Sequence, residues 1–266
     1  MNAPDLAINV TGLVTHYGTR KILDGISFQA RQGEIMVIMG GSGSGKSTLL
    51  RHLLGLHQPT SGSIKLLGKD ITKLSSDEIY DLRKNMGVAF QGGALFNSMT
   101  VGENVELPLR EHTKLDENTI RIMSRMKLEV VNLAGFENLM PSELSGGMIK
   151  RAALARAIVM DPRLLFFDEP SAGLDPVVSA ELDELILMLR DAMNMTIVVV
   201  THELESAFKI ADRITVLDQG RILMSDTVAT VRASDNERIQ SLLNRTPRNE
   251  AINPDEYMER LTREIF

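Results

Sequence analysis

The apolar residues fall into short, regularly spaced runs separated by glycine, proline and polar turns. Ile35-Met36-Val37-Ile38-Met39 has no polar interruption, the pattern of a strand covered on both faces. Leu164 to Phe167 and Thr196 to Thr201 read the same way, with a helix over Glu181 to Leu189 between them. Upstream, Ala7 to Phe28 predicts short strands with turns at Gly12, Gly18 and Asp24-Gly25. Behind the Ile35–Met39 strand, Leu49, Leu50, Leu53 and Leu54 mark one face of a helix that Gly55 and Pro59 end. Ser63 to Leu67 returns to strand. From about Gly93 to Asp161 the period is helical. Ile120, Met123, Val130 and Leu133 form a stripe behind a cap at Asp116, and a second helix, Gly147 to Met160, stops at Asp161-Pro162. Arg213 to Leu217 and Ile222 to Ser225 predict a hairpin over Asp218-Gln219-Gly220. Strands alternating with helices imply an α/β fold with a largely parallel sheet. The helical stretch, about 93–161, reads as an inserted subdomain.

The pattern changes after Asn244. Residues 1–244 form one unit; 245–266 read as a linker and a short helix. Asn253 caps that helix, with Pro254 at its first position and Glu256 completing a capping box. Tyr257, Met258, Leu261 and Ile265 share a face, which either packs on the chain's own domain or docks on a partner; the expectation is contact with a second subunit.

Composition narrows the function. The 266 residues carry a formal charge of −6, which argues against a broad nucleic-acid interface. The chain contains no cysteine, so disulfide, thiolate and Cys-metal chemistry are excluded. Methionines in the helical stretch read as core filler. The N-terminus lacks the basic and apolar segments of a secretory signal. No apolar run approaches the ~20 residues that span a bilayer. Work at a membrane would therefore need another chain to cross it.

The candidate chemistry starts at Gly40-Gly41-Ser42-Gly43-Ser44-Gly45-Lys46-Ser47, with Thr48 following. It matches G-x-x-x-x-G-K-[ST] between a buried strand and a helix, the context of a phosphate-binding loop. Glycines let successive backbone N–H groups point at phosphate oxygens, and the helix N-terminus adds partial positive charge. Lys46 is placed to neutralise β/γ-phosphates and Ser47 to offer a hydroxyl to Mg²⁺. The Leu164–Phe167 strand ends in Asp168 and Glu169, where α/β sheets place ligands. Asp168 suits Mg²⁺, and Glu169 suits activation of a water. Ser145-Gly146-Gly147 opens a helix and is a second potential anion site; by itself a structural N-cap is the plainer reading. His202 ends the Thr196–Thr201 strand within reach of a terminal phosphate. Gln91 offers a neutral amide to Mg²⁺ or water, and Tyr17 a ring for adenine.

Together these segments resemble the nucleotide-binding cassette of ABC transporters. The order is Tyr17, Gly40–Ser47, Gln91, Leu144-Ser145-Gly146-Gly147, Asp168-Glu169, Ser171-Ala172-Gly173-Leu174-Asp175 and His202, over roughly residues 6 to 240. The resemblance implies a P-loop cassette with an antiparallel β subdomain and an inserted helical subdomain. It implies a head-to-tail homodimer binding ATP and Mg²⁺, each nucleotide lying between the P-loop of one chain and Ser145-Gly146-Gly147 of the other. Asp175 would communicate across that interface. The family usually has Gln where this chain has Met148. A narrower likeness is carried by Gln91-Gly92-Gly93-Ala94-Leu95-Phe96, Pro108-Leu109-Arg110-Glu111-His112 and Met140 to Met148. These resemble ATPases of bacterial phospholipid transport that maintain outer-membrane lipid asymmetry. That likeness implies a membrane permease whose coupling helix meets Gly92 to Arg110, a small STAS-type subunit and a periplasmic lipid-binding ring. It places the chain on the cytoplasmic face of the inner membrane. The alternatives are a cassette for another substrate, a soluble assembly ATPase and a nucleotide-gated module that does not hydrolyse.

Overall fold

The computed structural model describes residues 5–246, so the C-terminal helix expected from Asn253 lies outside the described residues. The chain opens with β1 (Leu6–Tyr17), β2 (Arg20–Arg31) and β3 (Ile35–Met39), then α1 (Lys46–Leu53). Next come β4 (Ser61–Leu66), β5 (Lys69–Asp70), α2 (Ser76–Arg83) and β6 (Met86–Ala89). A helical run follows: α3 (Val101–His112), α4 (Glu117–Val130) and α5 (Gly146–Ile158). β7 (Leu164–Asp168), α6 (Pro176–Met193), β8 (Thr196–Thr201) and α7 (Leu204–Ile210) complete the alternation. The last elements are β9 (Arg213–Asp218), β10 (Arg221–Thr227), α8 (Val228–Arg232) and α9 (Glu237–Leu243).

The strands form two sheets. One is antiparallel, ordered β2-β1-β4-β5. The other is ordered β10-β9-β3-β8-β7-β6, and only its β10 edge is antiparallel. The unbroken apolar runs are explained by what lies on each face. Ile35, Val37 and Met39 of β3 join a core with α3 to α7, while Met36 and Ile38 join a second core with α1 and the antiparallel sheet. β7 and β8 divide their side chains in the same way. Each strand is buried on both faces, so period-two alternation of polarity is absent.

Two predicted turns are bulges. β1 and β2 each run unbroken past Gly12 and past Asp24-Gly25, and only Gly18 lies at the reversal between them. The register shifts between Val10 and Leu13, where Gly12 has φ +57° and its N–H is taken by Ser27 Oγ at 2.8 Å. Left-handed glycine serves a bulge as readily as a turn. α2 leaves no apolar stripe in the sequence because it buries little besides Leu82; its capping box, Ser75 with Glu78, is its local signal.

α1 is clamped to the small sheet through His52, whose side chain is fully buried. Nδ1 lies 2.8 Å from the His57 carbonyl and Nε2 lies 2.7 Å from Thr15 Oγ1. A carbonyl can only accept, so Nδ1 carries the proton and Nε2 accepts from the threonine. That arrangement is complete with a neutral ring. Burial holds the His52 pKa below its ordinary 6.5. The unfolded chain therefore binds the proton more tightly. His52's contribution to stability is intact above 6.5 and is lost as pH falls toward the depressed folded value. Denaturant midpoints measured between pH 8 and pH 5 should fall more steeply for the parent than for His52→Gln. Parallel curves would contradict the assignment.

Candidate functional site

β3 delivers the chain at Met39 into a glycine turn whose tightness is set by its neighbours. A Cβ at Gly40 would sit 2.2 Å from the Leu217 carbonyl oxygen and 2.6 Å from Ser44 Oγ. Gly45, with φ +106°, would place one 2.7 Å from Leu23 Cδ2. The loop is thus pressed between the end of β9 and the β2 strand. Behind it, α2 to α6 are each capped by their own Ser, Thr or Asp side chain, whereas α1 has no side-chain cap. Its first N–H groups face outward with the helix dipole behind them, which suits an anion.

Lys46 Nζ donates to the carbonyl oxygens of Gly40 at 2.8 Å and Gly41 at 3.2 Å. Burial lowers its pKa, and the charges of Glu169 and Asp168 oppose that shift. The ammonium is held at the loop by neutral oxygens, so its charge is available to an incoming phosphate.

β7 brings the carboxylates in from the opposite side. Burial first, and the neighbouring charge of Glu169 second, raise the Asp168 pKa, while Lys46 and Arg51 act in the other direction. Glu169 follows at φ +50°, a left-handed conformation that costs a non-glycine residue about 1–3 kcal/mol. Its N–H donates to the Val200 carbonyl at 2.8 Å. Glu169 Oε2 accepts the His202 backbone N–H at 3.3 Å and lies 2.9 Å from His202 Nδ1. Glu169 is 13% exposed and His202 58%, so the carboxylate is sheltered and the imidazole faces the opening.

Lys46, Ser47, Gln91, Asp168, Glu169 and His202 line one cavity of about 490 Å³ together with Gly40 to Gly43. Ser44, Gly45 and Thr48 shape the loop from behind and are not among the lining residues. Ser44 and Thr48 are buried. Among the described residues no hydrogen bond engages the Asp168 carboxylate, and none engages the Ser47 hydroxyl. A carboxylate, a hydroxyl and the Gln91 amide form a hard oxygen set, which fits magnesium.

Other residues singled out in the sequence lie elsewhere. Tyr17 ends β1, 43% exposed, with its ring edge-on to His57. Ser145, Gly146 and Gly147 do not line the cavity. Ser145 Oγ accepts the Met148 N–H at 3.3 Å and caps α5, and Asp175 caps α6 by accepting from Val177 and Val178. Met148 turns away into a groove with Val130, Leu133, Phe136 and Leu185. The start of α5 thus lies apart from the cavity and, within one chain, is capped by its own serine.

Three residues were missed. Lys150 on α5 donates to backbone oxygens of the turn after β7, and Arg156 on the same helix donates to the Gly93 and Ala94 carbonyls behind Gln91. Arg245, read from the sequence as the start of a linker, lines the cavity with Leu242, and its Nη2 lies 3.8 Å from Glu203 Oε2. The acceptors of Lys150 and Arg156 are main-chain groups, which leave no side-chain signature.

Residues 23–172 match the ABC transporter family model. An intermembrane phospholipid transport system ATP-binding protein, MlaF of Haemophilus influenzae, is 44% identical over 89% of each chain. A probable ribonucleotide transport ATP-binding protein, mkl of Mycobacterium leprae, is 41% identical over 90% of this chain and 69% of that protein. Among solved structures, the ATP-binding cassette MJ0796, dimeric and bound to ADP and Pi, superposes with a TM-score of 0.77 at 30% identity, covering 83% of this chain and 98% of that one.

Proposed function

The chain belongs to the ABC transporter family of ATP-binding proteins, and from that premise we propose that it hydrolyses ATP as a dimer to drive phospholipid transport between bacterial membranes. The observation that carries the ATPase reading is the single cavity shared by Lys46, Ser47, Gln91, Asp168, Glu169 and His202. Lys46 and the first turn of α1 bind the phosphates. Glu169 takes the proton of the attacking water, and His202 holds the Glu169 carboxylate in place and reaches toward the terminal phosphate. Ser47, Asp168 and Gln91 would hold a magnesium ion, which would supply neutralisation of phosphate charge. Tyr17 stacks on adenine.

The separate start of α5 supports a two-chain site. Ser145, Gly146 and Gly147 of one copy then close over nucleotide on the P-loop of the other, and Asp175 lies at the same junction. The dimeric state of MJ0796 in its solved structure agrees with this arrangement.

The lipid assignment rests on the identity to the phospholipid transport protein across nearly the whole chain. Among the described residues no helix is long and apolar enough to cross a membrane, so a permease subunit carries the lipid path. Its coupling helix fits the cleft of about 290 Å³ lined by Phe90, Phe96, Pro108, His112 and Arg156. The wall of that cleft is built firmly. Buried Asn104 accepts the Phe96 N–H at 2.7 Å, and its two amide hydrogens are shared among the Phe96, Met99 and Thr100 carbonyls. A STAS-type subunit and a periplasmic lipid-binding ring complete the assembly, with this chain peripheral on the cytoplasmic face of the inner membrane. The mkl relative favours a second reading, the same engine with another cargo.

Reconstitution with the co-purifying permease distinguishes the two. Phospholipid reading predicts ATP-dependent lipid transfer between vesicles and turnover that rises with lipid supply. ATP turnover without lipid transfer, together with stimulation by a soluble solute, would favour the other cargo.

A further inference from the structure

We propose that Lys150 is a positioning residue that makes catalysis at Glu169 depend on the placement of α5, and through it on nucleotide bound to the partner copy. The proposal rests on the two-chain site and on Glu169 as the base, as set out above.

An ammonium has three N–H donors. Lys150 Nζ meets three backbone carbonyl oxygens, those of Glu169 at 3.3 Å, Pro170 at 2.5 Å and Ala172 at 2.7 Å. These oxygens belong to the turn that carries Glu169 in its left-handed conformation. The turn's own side chains hold it weakly. Ser171 is buried and, among the described residues, its hydroxyl has no hydrogen-bond partner; the turn's own main-chain bonds are the Ala172 N–H to the Glu169 carbonyl at 3.3 Å and the Leu174 N–H to the Ser171 carbonyl at 3.1 Å. On the far side, the Glu169 carboxylate is fixed by His202. Glu169 is thus held by His202 on its side chain, by the Val200 carbonyl on its N–H, and by Lys150 beside the long Ala172 bond on its carbonyl.

Lys150 stands on the helix that begins at Ser145. α5 is a rigid lever, with Ala152, Ala153, Leu154, Ala155 and Ile158 all buried. Lys150 lies little more than one turn from the Ser145 cap. At Gly147 the helix start is packed so closely on α6 that a Cβ would approach Val178 Cγ1 to 2.9 Å. A phosphate pressing on Ser145-Gly146-Gly147 shifts α5 as a body. The ammonium then carries that shift to the Glu169 carbonyl, and rotation of the 169–170 peptide re-aims the carboxylate. Catalytic groups need placement within about 0.5 Å, so a small displacement suffices to gate turnover. Lys150 is half-buried, and that partial burial lowers its pKa.

The test uses the full-length chain assembled with its permease. Lys150→Met keeps the length of the side chain and removes all donors; Lys150→Gln keeps two donors and loses the charge. Turnover should fall about tenfold for Met and about threefold for Gln, each with an unchanged KM for ATP. Adding Lys150→Met to Glu169→Gln should leave ATP-driven dimerisation as it is in Glu169→Gln alone. A merely structural lysine would instead lower thermal midpoint, ATP affinity and dimerisation together, and that result overturns the proposal. So does parental kcat in Lys150→Met. Should Lys150→Met not fold, Lys150→Gln decides: parental kcat refutes the role. The single variant Glu169→Gln separates the premises. If it keeps turnover, the base assignment fails and this proposal with it. If it loses turnover while both Lys150 variants keep theirs, only the role of Lys150 fails.

Discussion

Replacing Glu169 by Gln should reduce ATP turnover by about 10²–10⁴-fold, the contribution of a well-placed general base, while ATP remains bound. The geometry makes this an informative substitution. The amide has the size and shape of the carboxylate, and its oxygen can still accept the His202 N–H groups that now reach Glu169 Oε2 at 2.9 and 3.3 Å. The left-handed turn at φ +50° is a backbone feature and is tied by the Glu169 N–H to the Val200 carbonyl, so it survives too. What is lost is the ability to take a proton. Removing one of two adjacent negative charges also relieves Asp168, whose pKa Glu169 helps to raise, so phosphate binding should not weaken. The variant should therefore retain ATP and accumulate as a closed dimer, seen as an ATP-dependent shift in size-exclusion chromatography. Steady-state phosphate release at the parental rate would remove Glu169 from the role of base.

Much of this site is legible in the sequence because its chemistry depends on side-chain type at fixed spacing. Gly40 to Ser47 behind Ile35–Met39, and Asp168-Glu169 behind Leu164–Phe167, announce themselves as strand ends bearing phosphate- and cation-binding groups. The doubly buried sheet is legible for a similar reason, since apolar runs without alternation have few alternatives. Illegible features depend on the main chain. Gly12 and Gly25 look like turns because the φ that permits a turn also permits a bulge in a long strand. Lys150 and Arg156 read as ordinary polar positions on α5, because the carbonyls they grip carry no residue code. Arg245 followed what looked like a domain end, yet α9 carries it back to the cavity mouth. Ser145 illustrates the opposite limit: within one chain it is an N-cap, and its further role needs a second copy.

Lys46→Ala is expected to raise the Kd for ATP by about 10²-fold. A charged hydrogen bond to phosphate is worth about 1.5–3 kcal/mol, or roughly one to two powers of ten in affinity. In the parent the ammonium is already gathered at the loop by the Gly40 and Gly41 carbonyls, so little ordering is needed when phosphate arrives. Folding should suffer less than binding, because position 46 opens α1 and alanine is the best helix former. A second signature follows from charge. Lys46 opposes the upward shift of the Asp168 pKa, so its loss lets that carboxyl rise further above its ordinary 3.8. A raised folded-state pKa means that the folded chain holds the proton more tightly than the unfolded one. Stability is then gained as pH falls from the raised value toward the unfolded value, and lost on returning above it. Between pH 7 and pH 4 the change in thermal midpoint should accordingly be more favourable for Lys46→Ala than for the parent, whatever the other groups contribute to both, in nucleotide-free buffer. Titration with a fluorescent ATP analogue gives the affinity. Parental affinity would detach the P-loop lysine from phosphate binding. An unchanged pH profile would mean instead that Lys46 does not sense the carboxylates across the cavity.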